Sequence, residues 1–391
     1  MGVDHFFMIK KTLEKIVDLE YNQDELEEVL DVLIKKNLTQ GEKVREFEDL
    51  LSKYLGVKYC VVVNSGTSAL YLALLSLGIE ENDWVITTSY SFVATANVIE
   101  LLKARPIFID IDIRDFNISI DILEKTLKDL DKKNLLKKVK VILPVHLFGF
   151  PVNPYVYELS RRYGIWVLDD AAGALGTKIN DIFIGKFADL TCFSFHPRKI
   201  ITTGEGGCIV TDSYEIYSKL ILLRNHGLGL VDNNLDLFLP GFNFRLTEFQ
   251  AALGIIQLKK IESIINKRIQ IFENYVNLFK LNDLDVVFQE AIDGSRVAIQ
   301  NFCFLLPKIM LGKRDTLINF LYENGVEAKV GTYHIPLTNY YSRKYNYKKG
   351  DFPITDLVNE LAISIPFHSK LSYEKQVFII NLIKKFWELY Y

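Results

Sequence analysis

The chain has 391 residues, 49% of them hydrophobic and 24% charged, with 46 Lys+Arg against 49 Asp+Glu and a formal net charge of -3. That length exceeds one simple core and suits two domains, and the composition is that of an ordinary globular protein. The near balance of charge excludes a strong field of one sign, so neither nucleic acid nor an anionic membrane is expected as the main partner.

The opening "MGVDHFFMIKK" holds no apolar core of signal-peptide length, and Phe6 breaks the myristoylation pattern. No apolar run reaches the roughly 18 residues that a membrane helix needs, so a cytoplasmic protein is expected. Residues 10–55 read as helices, because "NQDELEEVLDVLIKK" repeats apolar residues at three- and four-residue steps. "KYCVVVNSGTSALYLALLSLGI" then turns from a β-branched run through Ser-Gly-Thr into an apolar helix, a strand–loop–helix unit. "DWVITTSYSFVATANVIELLKA" repeats the unit, and "RPIFIDID", "VKVILPVHLFG", "YGIWVLDDAAGALG", "FADLTCFSF" and "GGCIVTD" supply further strands. Apolar strands alternating with helices predict an α/β fold with a mostly parallel sheet covered on both faces. In such sheets ligands bind beyond the carboxyl ends of the strands, so the polar loops there hold the candidates. Cys60, Cys192, Cys208 and Cys303 sit in separate apolar runs with no CxxC pair, which predicts buried, reduced thiols. From Thr247 to Leu281 the pattern predicts one long helix bridging two domains, 1–255 and 256–391. A strand in "RVAIQNFCFLLP" and helices in "RDTLINFLYENG" and "SYEKQVFIINLIKKFWELYY" complete the second domain.

Four loops carry candidate chemistry. "NSGTSAL" (Asn64–Leu70) places Gly66, Thr67 and Ser68 at a helix N-terminus, where they can cap the helix or hold a phosphate. Asp169 and Asp170 end a strand and can cap, bind a metal or act as acid and base. "SFHPRKIITTGEGG" puts Lys199 between Ser194 and the glycines at 204, 206 and 207; it reads as a solvated loop lysine or as an amine at a ligand site. "GFNFRLTEFQAALG" sets Asn243 and Arg245 just before the long helix, again as caps or ligands. No histidine has zinc-like spacing with another His or Cys, so no metal is expected. Taken together, a phosphate turn, an acid at a strand end and a loop lysine are what pyridoxal 5'-phosphate requires. Its aldehyde needs an amine, its ring nitrogen a carboxylate, and its phosphate amides and hydroxyls.

The chain resembles the sugar aminotransferases of the DegT/DnrJ/EryC1/StrS family over nearly its whole length. The resemblance runs from "LTQGEKVREFE" through "NSGTSAL", "SFVATANVI", "VHLFGFP", "DDAAGALG", "SFHPRKIITTGEGG", "LRNHG" and "GFNFRLTEFQAALG" to "SIPFHSKLS". It implies the aspartate-aminotransferase-like (type I) PLP fold, with a large domain and a smaller C-terminal α+β domain. It implies Lys199 as the Schiff-base lysine and Asp170 as the partner of the pyridinium nitrogen. Gly66, Thr67, Ser68 and Ser194 would hold the phosphate, and Phe92 would stack on the ring. Asn243 would reach the phosphate of a neighbouring subunit, which implies a homodimer with shared active sites. Many members carry Gln or His three residues after the aspartate, against the cofactor's phenolic oxygen; here that position is Gly173.

The implied reaction is ping-pong: Lys199 holds PLP as an internal aldimine, glutamate donates the amine, and a nucleotide-linked keto sugar receives it. Tyr333 and His334 align with a region lining the substrate cleft, with Arg245 a further candidate and His196 and His226 readable either as ligands or as packing histidines. "ITTGEGG" resembles members acting at C4 of a 4-keto-6-deoxy sugar; action at C3 is the alternative. A dehydratase of the same family would carry His in place of Lys199, and a non-catalytic regulatory protein could dispense with Lys199 or Asp170.

Overall fold

The computed structural model describes residues 13–390. A seven-stranded sheet is its centre, with strands β1 (Tyr59–Val63), β2 (Trp84–Thr88), β3 (Arg105–Ile109), β4 (Val139–Leu143), β5 (Trp166–Asp170), β6 (Leu190–Ser194) and β7 (Gly207–Thr211). Their spatial order is β1-β7-β6-β5-β4-β2-β3. Only β7 runs against the rest, pairing antiparallel with both β1 and β6. The strands are nearly all buried because helices cover both faces, as their apolar sequences require. Helix Gly66–Ser76, for example, buries Ala69, Leu70, Leu72, Ala73 and Leu74 against one face.

A smaller antiparallel sheet takes Val287–Phe288, Phe302–Leu305, Ala362–Ile365 and Lys329–Val330 in that spatial order. The helices Arg314–Glu323 and Tyr373–Tyr390 complete it around a Phe-rich core that includes Phe279, Phe302, Phe304 and Phe386. The expected single helix over 247–281 is two, Glu248–Lys259 and Ile261–Leu281. No Pro or Gly marks the break. Lys260 sits at φ -97°, ψ -2°, and its amine reaches Asp24 and Glu25 of the helix Gln23–Lys35 at 3.0 and 2.9 Å. The interruption coincides with a tertiary ion pair that local periodicity does not record.

Buried polar groups tie motif to motif. Glu248, which heads one of these helices, accepts the backbone N–H groups of Gly41 (2.8 Å), Lys43 (3.0 Å) and Val44 (2.9 Å). It thereby caps the helix Glu42–Leu55 from 204 residues away in sequence, with a carboxylate at the positive end of the helix dipole. Arg224 pairs with Glu48 inside the protein and donates to the Val62 carbonyl (2.8 Å), fastening "LRNHG" to β1. Among the described residues no helix is long and apolar enough to cross a membrane. The four cysteines are free and buried.

Candidate active site

A cavity of about 590 Å³ opens at the carboxyl ends of the parallel strands, within the size range of small-molecule sites. Its walls include Gly66, Thr67, Phe92, Asp170, Ser194 and Lys199. The N-terminal segment at Ile16 and Val17 and the smaller sheet at Lys329 and Ser364 complete it.

Backbone pairing sets the position of Asp170. Its N–H donates to the Pro144 carbonyl (2.9 Å) and its carbonyl accepts from His146 (3.0 Å), so β5 remains clamped to β4 up to its last residue. Successive strand residues face opposite ways, and this separates the two aspartates. Asp170 lines the cavity, with Thr95 Oγ1 donating to its Oδ2 (2.7 Å) and the Ala172 N–H to its Oδ1 (3.2 Å). Asp169 turns inward, accepts from Tyr157 (2.9 Å) and lies 3.2 Å from His146 Nε2. The Val152 N–H donates to His146 Nδ1 (3.2 Å), so the proton of the neutral ring belongs on Nε2, facing Asp169. Of the two acids, only Asp170 is free to serve a ligand.

Lys199 stands at the end of a turn. Its N–H donates to the His196 carbonyl (2.8 Å), which makes His196-Pro197-Arg198-Lys199 a β-turn with Pro at the second position, where its fixed φ fits best. The Phe195 carbonyl then accepts from Thr203 N–H (3.0 Å) and Thr202 Oγ1 (2.9 Å), closing the loop, and Gly204 takes φ +80°. Burial pushes the Lys199 amine below the ordinary lysine range; nearby Arg198 adds to this and Asp170 opposes it.

The phosphate turn lies on the other side of Lys199. Ser65 caps the helix, accepting from the Ser68 N–H (3.0 Å), while the Asn64 N–H is held by the Phe244 carbonyl (3.0 Å). Gly66 and Thr67 head the helix with N–H groups that no helical carbonyl reaches. Two glycines allow the close fit. A Cβ on Gly66 would lie 2.8 Å from Ser194 Cβ, and one on Gly207 would lie 2.7 Å from Gly66 N. The turn therefore sits directly on the end of β6. An amine, a carboxylate and a helix N-terminus on one cavity are a donor set that fits pyridoxal phosphate.

Not every expected residue reaches the wall. The Ser68 hydroxyl donates to Asn64 Oδ1 (2.7 Å) within the turn, and Ser68 does not line the cavity. Tyr333 lines it, its ring 5.9 Å from that of Phe92, and both rings are exposed. His334, the next residue on the same short strand, points the other way: it is buried, with Nε2 3.0 Å from Asp356 Oδ1, and burial lowers its pKa. Asn243 bridges to Asn225 and Arg245 donates to the Asn225 side chain, both away from this cavity. His196 lines the cavity and His226 does not. No group of residues suited to a metal occurs among the described residues. Thr95, His146 and Gln300 belong to the site and were not singled out from sequence. For Thr95 and His146 a signal existed, since they fall inside "SFVATANVI" and "VHLFGFP".

The DegT/DnrJ/EryC1/StrS aminotransferase family profile matches residues 20–384. The chain belongs to this family. It is a PLP-dependent aminotransferase of the type I fold. It is 34% identical over 369 residues to the UDP-4-amino-4,6-dideoxy-N-acetyl-beta-L-altrosamine transaminase of Campylobacter jejuni, covering 92% of this chain and 93% of that one. It is 31% identical over 350 residues to the GDP-perosamine synthase of Escherichia coli O157:H7, covering 89% and 91%. Helicobacter pylori PseC, an aminotransferase involved in pseudoaminic acid biosynthesis, superimposes with a TM-score of 0.87 at 30% identity, over 97% of this chain and all of that one.

Proposed function

We propose that this aminotransferase moves an amino group from glutamate to C4 of a nucleotide-linked 4-keto-6-deoxy sugar. The observation that carries the reading is the meeting of Lys199, Asp170 and the Gly66–Thr67 helix start on one cavity. The cofactor, when bound, supplies the carbon that carries the migrating amine and a ring that accepts an electron pair. Asp170, oriented by Thr95, holds the proton on the ring nitrogen. Lys199, with its lowered pKa, is poised to move the proton from the donor's Cα to the cofactor carbon that carries the amine, and to move one the opposite way, to the sugar carbon, in the other half-reaction. Thr67, Ser194 and the helix start bind the phosphate, and Phe92 covers a ring face. Tyr333, beside Phe92, is the side chain best placed to meet a sugar at the mouth.

The substrate reading draws on the relatives. The C. jejuni protein is named for a 4-amino-4,6-dideoxy sugar on UDP, and the E. coli protein for a GDP-linked product. A homodimer in the cytoplasm is part of the proposal, with Asn243 serving the partner's phosphate site and the chain dividing at 255/256. Asn243 lies off its own cavity, and a two-stranded ribbon, Leu228–Val231 with Asn234–Leu237, exposes Leu230, Leu235 and Leu237 beside the exposed Phe238, an apolar surface suited to a second copy. The test is amino transfer from glutamate to UDP-, dTDP- and GDP-linked 4-keto and 3-keto 6-deoxy sugars, read by mass spectrometry. Amination of a 4-keto sugar is expected; amination of 3-keto sugars alone would overturn the C4 assignment.

A further inference from the structure

Gly173, three residues after Asp170, leaves a gap in the cavity wall that another part of the chain fills. A Cβ on Gly173 would sit 3.1 Å from Gln300 Oε1 and 3.4 Å from Gln300 Cβ and Cγ. Gln300 lies just before the strand Phe302–Leu305 and is fixed from three directions. Its N–H donates to the Phe148 carbonyl (2.9 Å), and its own carbonyl accepts from the buried Arg268 (3.2 Å). Its Nε2 donates to the carbonyl of Arg198 (2.9 Å), the residue before Lys199. That bond sets which way the amide faces and uses one of its two N–H groups. The other remains for a ligand in the cavity that Gln300 lines.

The covalent structure of pyridoxal phosphate says which ligand atom this would be. The aldehyde carbon and the ring nitrogen lie at opposite ends of the ring, and the phosphate arm and the phenolic oxygen flank the aldehyde on opposite sides. Lys199 and Asp170 define the first axis. The phosphate turn lies toward β6 and β7, through Ser194 and Gly207. Gly173 and Gln300 lie on the other side of Asp170, toward β4, since Gln300 bonds Phe148 in the loop that follows that strand. A cofactor bound on this axis would turn its phenolic oxygen toward Gly173 and Gln300.

We propose that Gln300 fills the place left by Gly173, with its Oε1 toward Gly173, and that the Nε2 N–H not used by Arg198 donates a hydrogen bond to the phenolic oxygen of the bound cofactor. This rests on the PLP reading above. A donor there stabilises the oxygen's anionic form and draws off negative charge that would otherwise favour a proton on the Lys199 nitrogen bound to the cofactor. The other charged or titratable groups lining the cavity are Asp170, His146, His196, Arg198, Glu205, Lys329 and Tyr333; Gln300→Ala removes none of these side chains but frees the Arg198 carbonyl, a change that the Gly173→Gln/Gln300→Ala variant shares and so controls for.

The test is a pH titration of the visible absorption band of the PLP-loaded protein, for wild type, Gln300→Ala and the double variant Gly173→Gln/Gln300→Ala. Loss of the donor should raise the midpoint by about one pH unit, the scale of one hydrogen bond to a charged acceptor. The double variant, which delivers an amide from position 173, should bring the midpoint back. A Gln300→Ala midpoint equal to wild type, with the band intact, overturns the role of Gln300 and leaves the PLP assignment standing. A wild type that shows no band with added PLP overturns both.

Discussion

Replacing Gly207 by alanine tests whether close packing, rather than the motif residues alone, builds the phosphate site. The added Cβ would lie 2.7 Å from Gly66 N, 2.7 Å from the Phe193 carbonyl oxygen and 2.8 Å from Ser65 C. All three are backbone atoms, so no side chain can swing aside. Gly207 is itself pinned in the sheet between Val63 and Ser194. The phosphate turn is the element that can yield. Moving from 2.7 to an ordinary 3.4 Å requires a retreat of about 0.7 Å. Overpacking of this kind costs about 1–3 kcal/mol of stability. Losing one charge-assisted hydrogen bond to the phosphate costs a further 1.5–3 kcal/mol or so of binding, roughly a ten- to hundredfold weaker affinity for PLP. The assay is a PLP titration followed by visible absorbance, with thermal melts alongside. Gly41→Ala is the control: its Cβ would meet the ends of two side chains, Asn37 Nδ2 at 2.6 Å and Glu248 Oε2 at 2.9 Å, and none of the three residues lines the cavity. It should lower the melting temperature and leave PLP affinity unchanged. Wild-type PLP affinity in Gly207→Ala would refute the argument.

Three more variants test the site. Burial lowers the Lys199 pKa, so between that value and the ordinary one near 10.4 the unfolded chain binds the proton better, and the stability of the apoprotein rises with pH across that window. Apo Lys199→Met should therefore resist urea better than apo wild type at pH 7, with the gap closing as the pH approaches the ordinary lysine value; equal stability at pH 7 would show that the amine is not desolvated. Tyr333→Ala should raise the sugar KM by about two- to tenfold, the scale of one aromatic contact, with little change in kcat. His334→Ala should leave KM alone and lower the melting temperature, since Asp356 loses a buried partner. A KM effect from His334 as large as that from Tyr333 would contradict the strand geometry.

Much of the site could be read before the fold because its residues come from short loops at the ends of successive strands. "NSGTSAL" follows β1, "SYSF" follows β2, Asp170 ends β5 and Ser194 ends β6, so local pattern plus the rule for parallel sheets brings them together. What could not be read depends on contacts between distant segments. Gln300 reaches Gly173 through a bond to Phe148, and nothing around it in sequence marks it out. Glu248 looks like a first-turn acid of its own helix, yet its carboxylate caps another. Lys260 has no feature of a helix breaker, and its partners Asp24 and Glu25 lie far back in the chain. Tyr333 and His334 are adjacent in sequence; only the pairing of that strand with Ser91 and Tyr90 tells which of them faces the cavity.

The Lys199 loop shows why amine, proline and glycines occur together. A lysine that exchanges protons with substrate must be desolvated enough to lose its charge, which favours a buried, rigid setting. It must also be free to move between partners. The loop divides these demands along its length. Pro197 and the bond from Lys199 N–H to the His196 carbonyl fix the backbone of the lysine, leaving its flexible side chain to move. The glycines do not loosen the lysine. Gly207, in the ladder of β7, lets the phosphate turn come within contact distance, and Gly206 accepts Phe195 N–H (2.9 Å) to close the loop behind the amine. Gln250 holds the Glu205 carbonyl (2.8 Å), so "TEFQ" anchors the same loop from the start of its helix. Rigidity in the backbone and mobility in one side chain are thus supplied by different residues, and the spacing of the stretch from Ser194 to Gly207 reflects that division.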